Sequence, residues 1–196
     1  ERKGRRLDAS WNGMKHALTH TFFTAANKKD PVGHGKDLLF HGIKTPGYER
    51  YLTEFEKAFE KTPPYYVYCM RSVDKVWRSW KSMGYLNDLE LFRTRYQRSI
   101  RQAIKIKNTA KERFVLFNLD DFIAVEDKSR FVYENVFSKM GFSESEGLIE
   151  SVQFTPNRNS IKNRGEKYIE DSGLEGEMQL LIGCDKINEY KHLLMS

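Results

Sequence analysis

Three groups of residues in this chain have types and spacings suited to chemistry on an anion. The first is His41-Gly42-Ile43-Lys44-Thr45-Pro46-Gly47-Tyr48, directly after the short apolar run Leu38-Leu39-Phe40. A strand that ends in such a Gly/Pro-punctuated turn leaves an imidazole and an ammonium near its end. His41 then suits a general base, and Lys44 a cation for a transferring anion. A surface turn that merely contains a lysine is the competing reading. The second group is Arg71 with Ser79, where an aromatic, apolar run gives way to a helix. An arginine at the carboxyl end of a strand stands where open α/β sheets bind ligands, although a structural ion-pair partner is an equal reading of the residue alone. The third is the polar, basic segment Phe154 to Gly165, which ends in Arg164-Gly165 and is rich in loop formers. Its amides and side chains suit a phosphate clamp, and a plain surface loop is the alternative.

Two further groups carry less. His16 and His20 stand at i, i+4 and can share a helix face, but no carboxylate or third histidine lies nearby at ligand spacing, so no metal is expected. Cys69 and Cys184 show neither CxxC nor Cys/His spacing and read as two unpaired structural thiols, Cys69 within a buried strand. A reducing, cytoplasmic setting is compatible with that usage.

The elements that must position these residues are legible from periodicity. Pro63-Pro64 cannot continue a preceding helix, so the chain restarts extended through Tyr65–Met70, an apolar run of the kind expected for a strand buried on both faces. Ser72-Val73-Asp74 caps a helix in which Trp77, Trp80 and Met83 recur on one side. Asp8 to Phe22 and Tyr51 to Lys61 carry helical apolar stripes, the latter through Leu52, Phe55 and Phe59. A longer helix is expected over Leu89–Ile106, with Leu91, Tyr96, Ile100, Ala103 and Ile104 inward and its basic residues outward. Arg113–Asn118 reads as a second buried strand. Lys128–Met140 follows as an amphipathic helix closed by Gly141 in the manner of a glycine C-cap. Leu174–Ile182 and the segment with Ile187 and Leu193-Leu194 look like terminal helices. Short apolar strands alternating with helices predict an α/β protein with a parallel sheet.

At 196 residues, one domain with a real core is expected. Its parts are an N-terminal helix and loop over 1–37, an α/β core over 38–142, and a phosphate-binding loop with C-terminal helices over 143–196. No apolar run approaches the roughly 18–20 residues that a membrane span needs. The net charge of +6 favours anionic partners, but the basic residues are dispersed, which argues against a nucleic-acid stripe. The absence of GxxxxGK[ST] argues against a P-loop kinase.

In this order and spacing, the chain resembles the sulfotransferases that use 3′-phosphoadenosine 5′-phosphosulfate (PAPS). Ile43-Lys44-Thr45-Pro46-Gly47-Tyr48 is similar to the Lys-Thr/Ser-Pro segment of carbohydrate and bacterial members. Arg71 and Ser79 have the eight-residue separation of the family's 3′-phosphate-binding Arg and Ser. Arg113 to Phe122 is similar to the strand ending in Tyr-Glu-Asp-Leu, and Met140-Gly141-Phe142 stands where the family has Leu-Gly-Leu. Arg164-Gly165 resembles the late Arg/Lys-Gly loop over the same phosphate. The resemblance covers residues 38–190. It implies a P-loop-like sulfotransferase fold, PAPS as co-substrate, no metal, and in-line transfer of a sulfuryl group to a hydroxyl or amine of an unidentified acceptor. Charge would build on the bridging oxygen in such a transfer. Lys44 is then the cation there, with His41 or a carboxylate from the early part of the chain as base. Leu119 replaces the usual Tyr, and Ser72-Val73 the common Asp/Asn-Pro. The family's Gly/Ser/Thr-rich 5′-phosphosulfate loop is not found in these residues; it is expected upstream of Glu1 or is missing. A missing loop would make the chain a non-catalytic nucleotide-binding module. A basic nucleic-acid-binding domain is the remaining alternative.

Overall fold

The computed structural model describes residues 51–61, 63–82, 84, 87–144 and 173–196. His16, His20, Leu38–Tyr48, Arg164 and Gly165 lie outside the described residues, so the expectations placed on them rest on the sequence. Residues 1–63 form one unit and residues 64–196 another, and each is described by itself. In the first, helix α1 spans Leu52–Ala58, with Leu52 buried and Phe55 stacked on Phe59 at 6.3 Å, as the stripe predicts.

In the second unit, strand β1 spans Tyr66–Met70 and strand β2 spans Phe114–Asn118. They pair in parallel, Tyr66 opposite Phe114 through to Met70 opposite Asn118. A parallel pair cannot be closed by a hairpin. The crossover is supplied by helix α2, Val73–Ser82, and the 21-residue helix α3, Leu89–Thr109. Arg113 Nη1 donates to the Pro64 carbonyl at 2.8 Å and ties the entrances of the two strands together.

The Asp88 side chain caps α3 by accepting from the Leu91 amide at 2.9 Å, satisfying one of the orphan donors of the first turn. Phe92, Ile100, Ala103 and Ile106 face inward, whereas Leu91, expected inside, is 40% exposed. Arg95, Arg98, Arg101 and Lys105 point to solvent, as expected of a solvated helix face.

The sheet's two faces are covered differently. Met70 joins Ile100, Ala103 and Leu194 in one core cluster, with Tyr68, Tyr96, Phe114 and Leu116 packed against it. On the other face Phe117 packs on Phe122 and Phe131, at 5.5 and 5.7 Å between ring centroids. Those rings come from helix α4, Leu119–Ala124, and helix α5, Lys128–Val132. This layer covers β2 but not β1, where Val67 is 42% exposed and Cys69 is exposed as well. The expectation of a strand buried on both faces is therefore corrected. β1 alternates, because its second face has no covering helix among the described residues.

The helix expected over Lys128–Met140 exists but changes pitch. After Val132 it widens into a π turn at Tyr133–Phe137 and tightens to a 3-10 turn at Ser138–Met140. Side chains help to satisfy the carbonyls there: Asn135 Nδ2 donates to the Phe131 carbonyl at 3.0 Å, and Ser138 Oγ to that of Glu134 at 2.8 Å. Gly141 ends it with φ of 84°, a left-handed position that favours glycine.

Helices α6, Glu175–Ile182, and α7, Asp185–Met195, complete the unit. Leu181 and Ile187 close a second cluster with Val73, Trp77 and Phe92. Trp77 is fully buried and its indole nitrogen donates to Glu177 at 2.9 Å, which satisfies a polar group that burial would otherwise leave bare. Lys107 Nζ donates to the Leu194 carbonyl at 3.0 Å, placing a cation on the negative end of α7. The unit is thus mixed α/β and mostly helical, with a two-stranded parallel sheet among the described residues. No helix there is long and apolar enough to cross a membrane.

Candidate anion-binding site

Because Met70 and Asn118 form the last rung of the pair, the two chains leave the sheet side by side. β1 runs into Arg71-Ser72 and the first turn of α2. β2 runs into the first turn of α4, which Asn118 caps by accepting from the Asp120 amide at 3.1 Å. Two helix starts, each with its own first-turn residues, therefore meet at the carboxyl edge of the sheet.

The charges there are organised around Asp120. Its Oδ2 accepts from the Ser72 amide at 2.7 Å and from the Ser72 hydroxyl. Its Oδ1 accepts from Lys75 Nζ at 3.0 Å and faces Arg71 Nε at 3.6 Å. Desolvation opposes the charge on this carboxylate, but the Ser72 hydroxyl and amide together with Lys75 outweigh it and hold its pKa at about 2. Asp120 is therefore an anion at any physiological pH.

Arg71 is held at its backbone as well. The Tyr96 hydroxyl, from α3, donates to the Arg71 carbonyl at 2.7 Å. Burial pushes the Tyr96 phenol upward, and the neighbouring Tyr68, Asp120 and Asp74 add to the effect, so it stays a donor. Lys191 reaches the same ring from α7, its Nζ 6.0 Å from the centroid. Burial lowers the Lys191 pKa, against the pull of Asp74 and Asp120.

Arg71 stands at the end of β1 with its side chain 34% exposed, at the sheet edge where it was expected. Ser79 lies two turns into α2, half-buried. By helical spacing it shares a face with Ser72 and Lys75, at i, i+3 and i+7. Asp120, Lys75, Tyr96 and Lys191 were not foreseen as part of this edge. The one signal available was charge complementarity: an arginine just after the first strand and aspartates just after the second must become neighbours once the strands pair in parallel.

Arg71, Lys75 and Lys191 share this edge with Asp74, Asp120 and Asp121, three charges of each sign. The chemistry it can perform is recognition of an anion by a guanidinium, since the Ser72 and Tyr96 hydroxyls already donate to Asp120 and to the Arg71 carbonyl. No family model, curated protein or solved structure matches the chain.

Proposed function

We propose that the chain binds the 3′-phosphate of PAPS through Arg71 and Ser79, and that it transfers the sulfuryl group to a hydroxyl or amine of an acceptor. The observation that carries this reading is the position of Arg71. It leaves a parallel strand at its carboxyl end, its side chain reaches solvent, and a helix bearing Ser79 starts directly after it. A 3′-phosphate is a compact dianion, which an arginine grips with two parallel hydrogen bonds while a hydroxyl supplies a third.

In this reading Arg164-Gly165 closes over the same phosphate, Lys44 neutralises the bridging oxygen as it leaves, and His41 or a carboxylate from the early part of the chain takes the acceptor proton. When bound, PAPS supplies the sulfuryl group as co-substrate. The resemblance in residue order across 38–190 supports the roles of Lys44 and of Arg164-Gly165, whereas His41 is put forward for its nearness to Lys44 in sequence.

Titration calorimetry with adenosine 3′,5′-bisphosphate tests the reading. The chain is expected to bind it, and Arg71→Ala to weaken binding by about 2–3 kcal/mol, the scale of a lost charge-assisted contact. Absence of binding, or undiminished binding by the variant, would overturn it. A non-catalytic module would bind the same ligand without turning PAPS over.

A further inference from the structure

We infer that Asp120 is the positioning residue of the anion site: it faces the Arg71 guanidinium from the Nε side and leaves the terminal nitrogens to grip a phosphate dianion. The inference rests on the reading of Arg71 as a phosphate ligand and adds to it a residue that does not touch the ligand.

A guanidinium is a planar fork with five donors, and only some of them can meet one anion. Arg71 Nε is buried, makes no hydrogen bond, and lies 3.6 Å from Asp120 Oδ1. Among the described residues, this carboxylate is the one ion-pair partner of Arg71. With Nε turned toward Asp120, the opposite edge of the fork carries the two terminal nitrogens, the pair that matches phosphate oxygens bidentately.

An orienting carboxylate must itself be fixed, and Asp120 is. The Ser72 amide and hydroxyl and the Lys75 ammonium all hold it, while Asn118 holds its backbone amide at 3.1 Å. Tyr96 holds the Arg71 carbonyl at 2.7 Å, so the backbone from which the arginine side chain springs is fixed as well. A ligand group held in place before binding loses less conformational freedom when the ligand arrives.

A carboxylate beside an anion site also repels the anion. Here Lys75 and both Ser72 donors engage that charge, and the sum over Arg71, Lys75 and Asp120 remains positive. Orientation therefore outweighs repulsion. Asp121 next to it provides the control: it is exposed, and it accepts from Asn118 Nδ2 at 2.7 Å.

The test compares two ligands on the full chain by calorimetry: adenosine 3′,5′-bisphosphate and adenosine 5′-monophosphate, which lacks the 3′-phosphate. The unaltered protein is expected to prefer the bisphosphate. Asp120→Asn should shrink that preference about tenfold, the scale of one charge-assisted contact, with affinity for the monophosphate unchanged; Asp121→Asn should leave the preference intact. Equal weakening toward both ligands would reduce Asp120 to a structural role, and tighter bisphosphate binding would make it a repulsive anion; either overturns the inference while Arg71 stands. Should Asp120→Asn fail to fold, Asp120→Glu displaces the carboxylate by one methylene and should reduce the preference partway; an unchanged preference there is equally fatal. No preference in the unaltered protein removes the Arg71 reading itself, and this inference with it.

Discussion

Replacing Asp120 by Asn should cost stability, and the cost should depend on pH in a way that identifies its origin. The folded pKa of Asp120 is about 2 against an ordinary 3.8, held down by Ser72 and Lys75 in the face of desolvation. A carboxylate whose pKa is depressed by folding stabilises the fold above its unfolded pKa and loses that contribution as pH falls through the folded value. At about 1.4 kcal/mol per pKa unit, the depression corresponds to at most about 2.5 kcal/mol. One fifth of the side chain meets solvent and Lys75 is itself 45% exposed, so screening reduces the expected figure to about 1–2 kcal/mol. Urea unfolding of the parent and Asp120→Asn, followed from pH 7 to pH 2, provides the assay. Other carboxylates titrate in both proteins, so the difference between them is the quantity to read. It should hold near about 1–2 kcal/mol above pH 5 and shrink between about pH 4 and pH 2. A difference that stays constant down to pH 2 would mean that the loss is one of packing and that the charge does nothing.

Other perturbations separate the core from the open face and the edge. Ile100→Ala removes a fully buried side chain where β1, α3 and α7 meet, and should cost about 2–5 kcal/mol in chemical unfolding. Val67→Thr, on the uncovered face of β1, should stay within about 0.5 kcal/mol; a large loss would show that this face is covered in solution. Tyr96→Phe strips the Arg71 carbonyl of its donor and should cost about 1–3 kcal/mol, with weaker adenosine 3′,5′-bisphosphate binding alongside. Unchanged stability and affinity would show that the tie to Arg71 is idle.

Much of the architecture was legible in the sequence because single residues punctuate it. Pro63-Pro64 announce the restart before β1, and Gly141 the end of the helix after β2. Alternation of strand and helix predicted the parallel pairing that Tyr66–Met70 and Phe114–Asn118 make. What failed was orientation within a uniform run. Tyr-Val-Tyr-Cys-Met is apolar at every position, so its composition cannot say that Val67 and Cys69 face outward; the covering layer decides that, and the rings of α4 and α5 stack on Phe117 of β2 and leave Val67 and Cys69 exposed. Leu91 and Phe92 are adjacent and both apolar, but Phe92 is the one in phase with Tyr96, Ile100 and Ala103, at i+4, i+8 and i+11. The site divides in the same way. Arg71 and Ser79 were visible through their spacing. Asp120, Tyr96 and Lys191 come from three other helices and converge only when the chain is packed, so no local pattern marks them.

The partners of α2 also bear on how the chain acquires its structure as it is made. Trp77 bonds to Glu177 across 100 positions, Ile187 and Leu181 complete the cluster around it, and Leu194 completes the one beneath the sheet. The parallel strands, separated by two helices, have no hairpin to hold them while they wait. A nascent chain that has emerged only as far as Gly141 carries Trp77, Phe92 and Ile100 with half of their covering still unsynthesised. Contacts this distant in sequence form slowly and leave apolar surface open in the interval. Helices α6 and α7 therefore govern the window in which the emerging protein is open to aggregation or chaperone capture, and tryptophan fluorescence on ribosome-bound fragments of increasing length would show when that window closes.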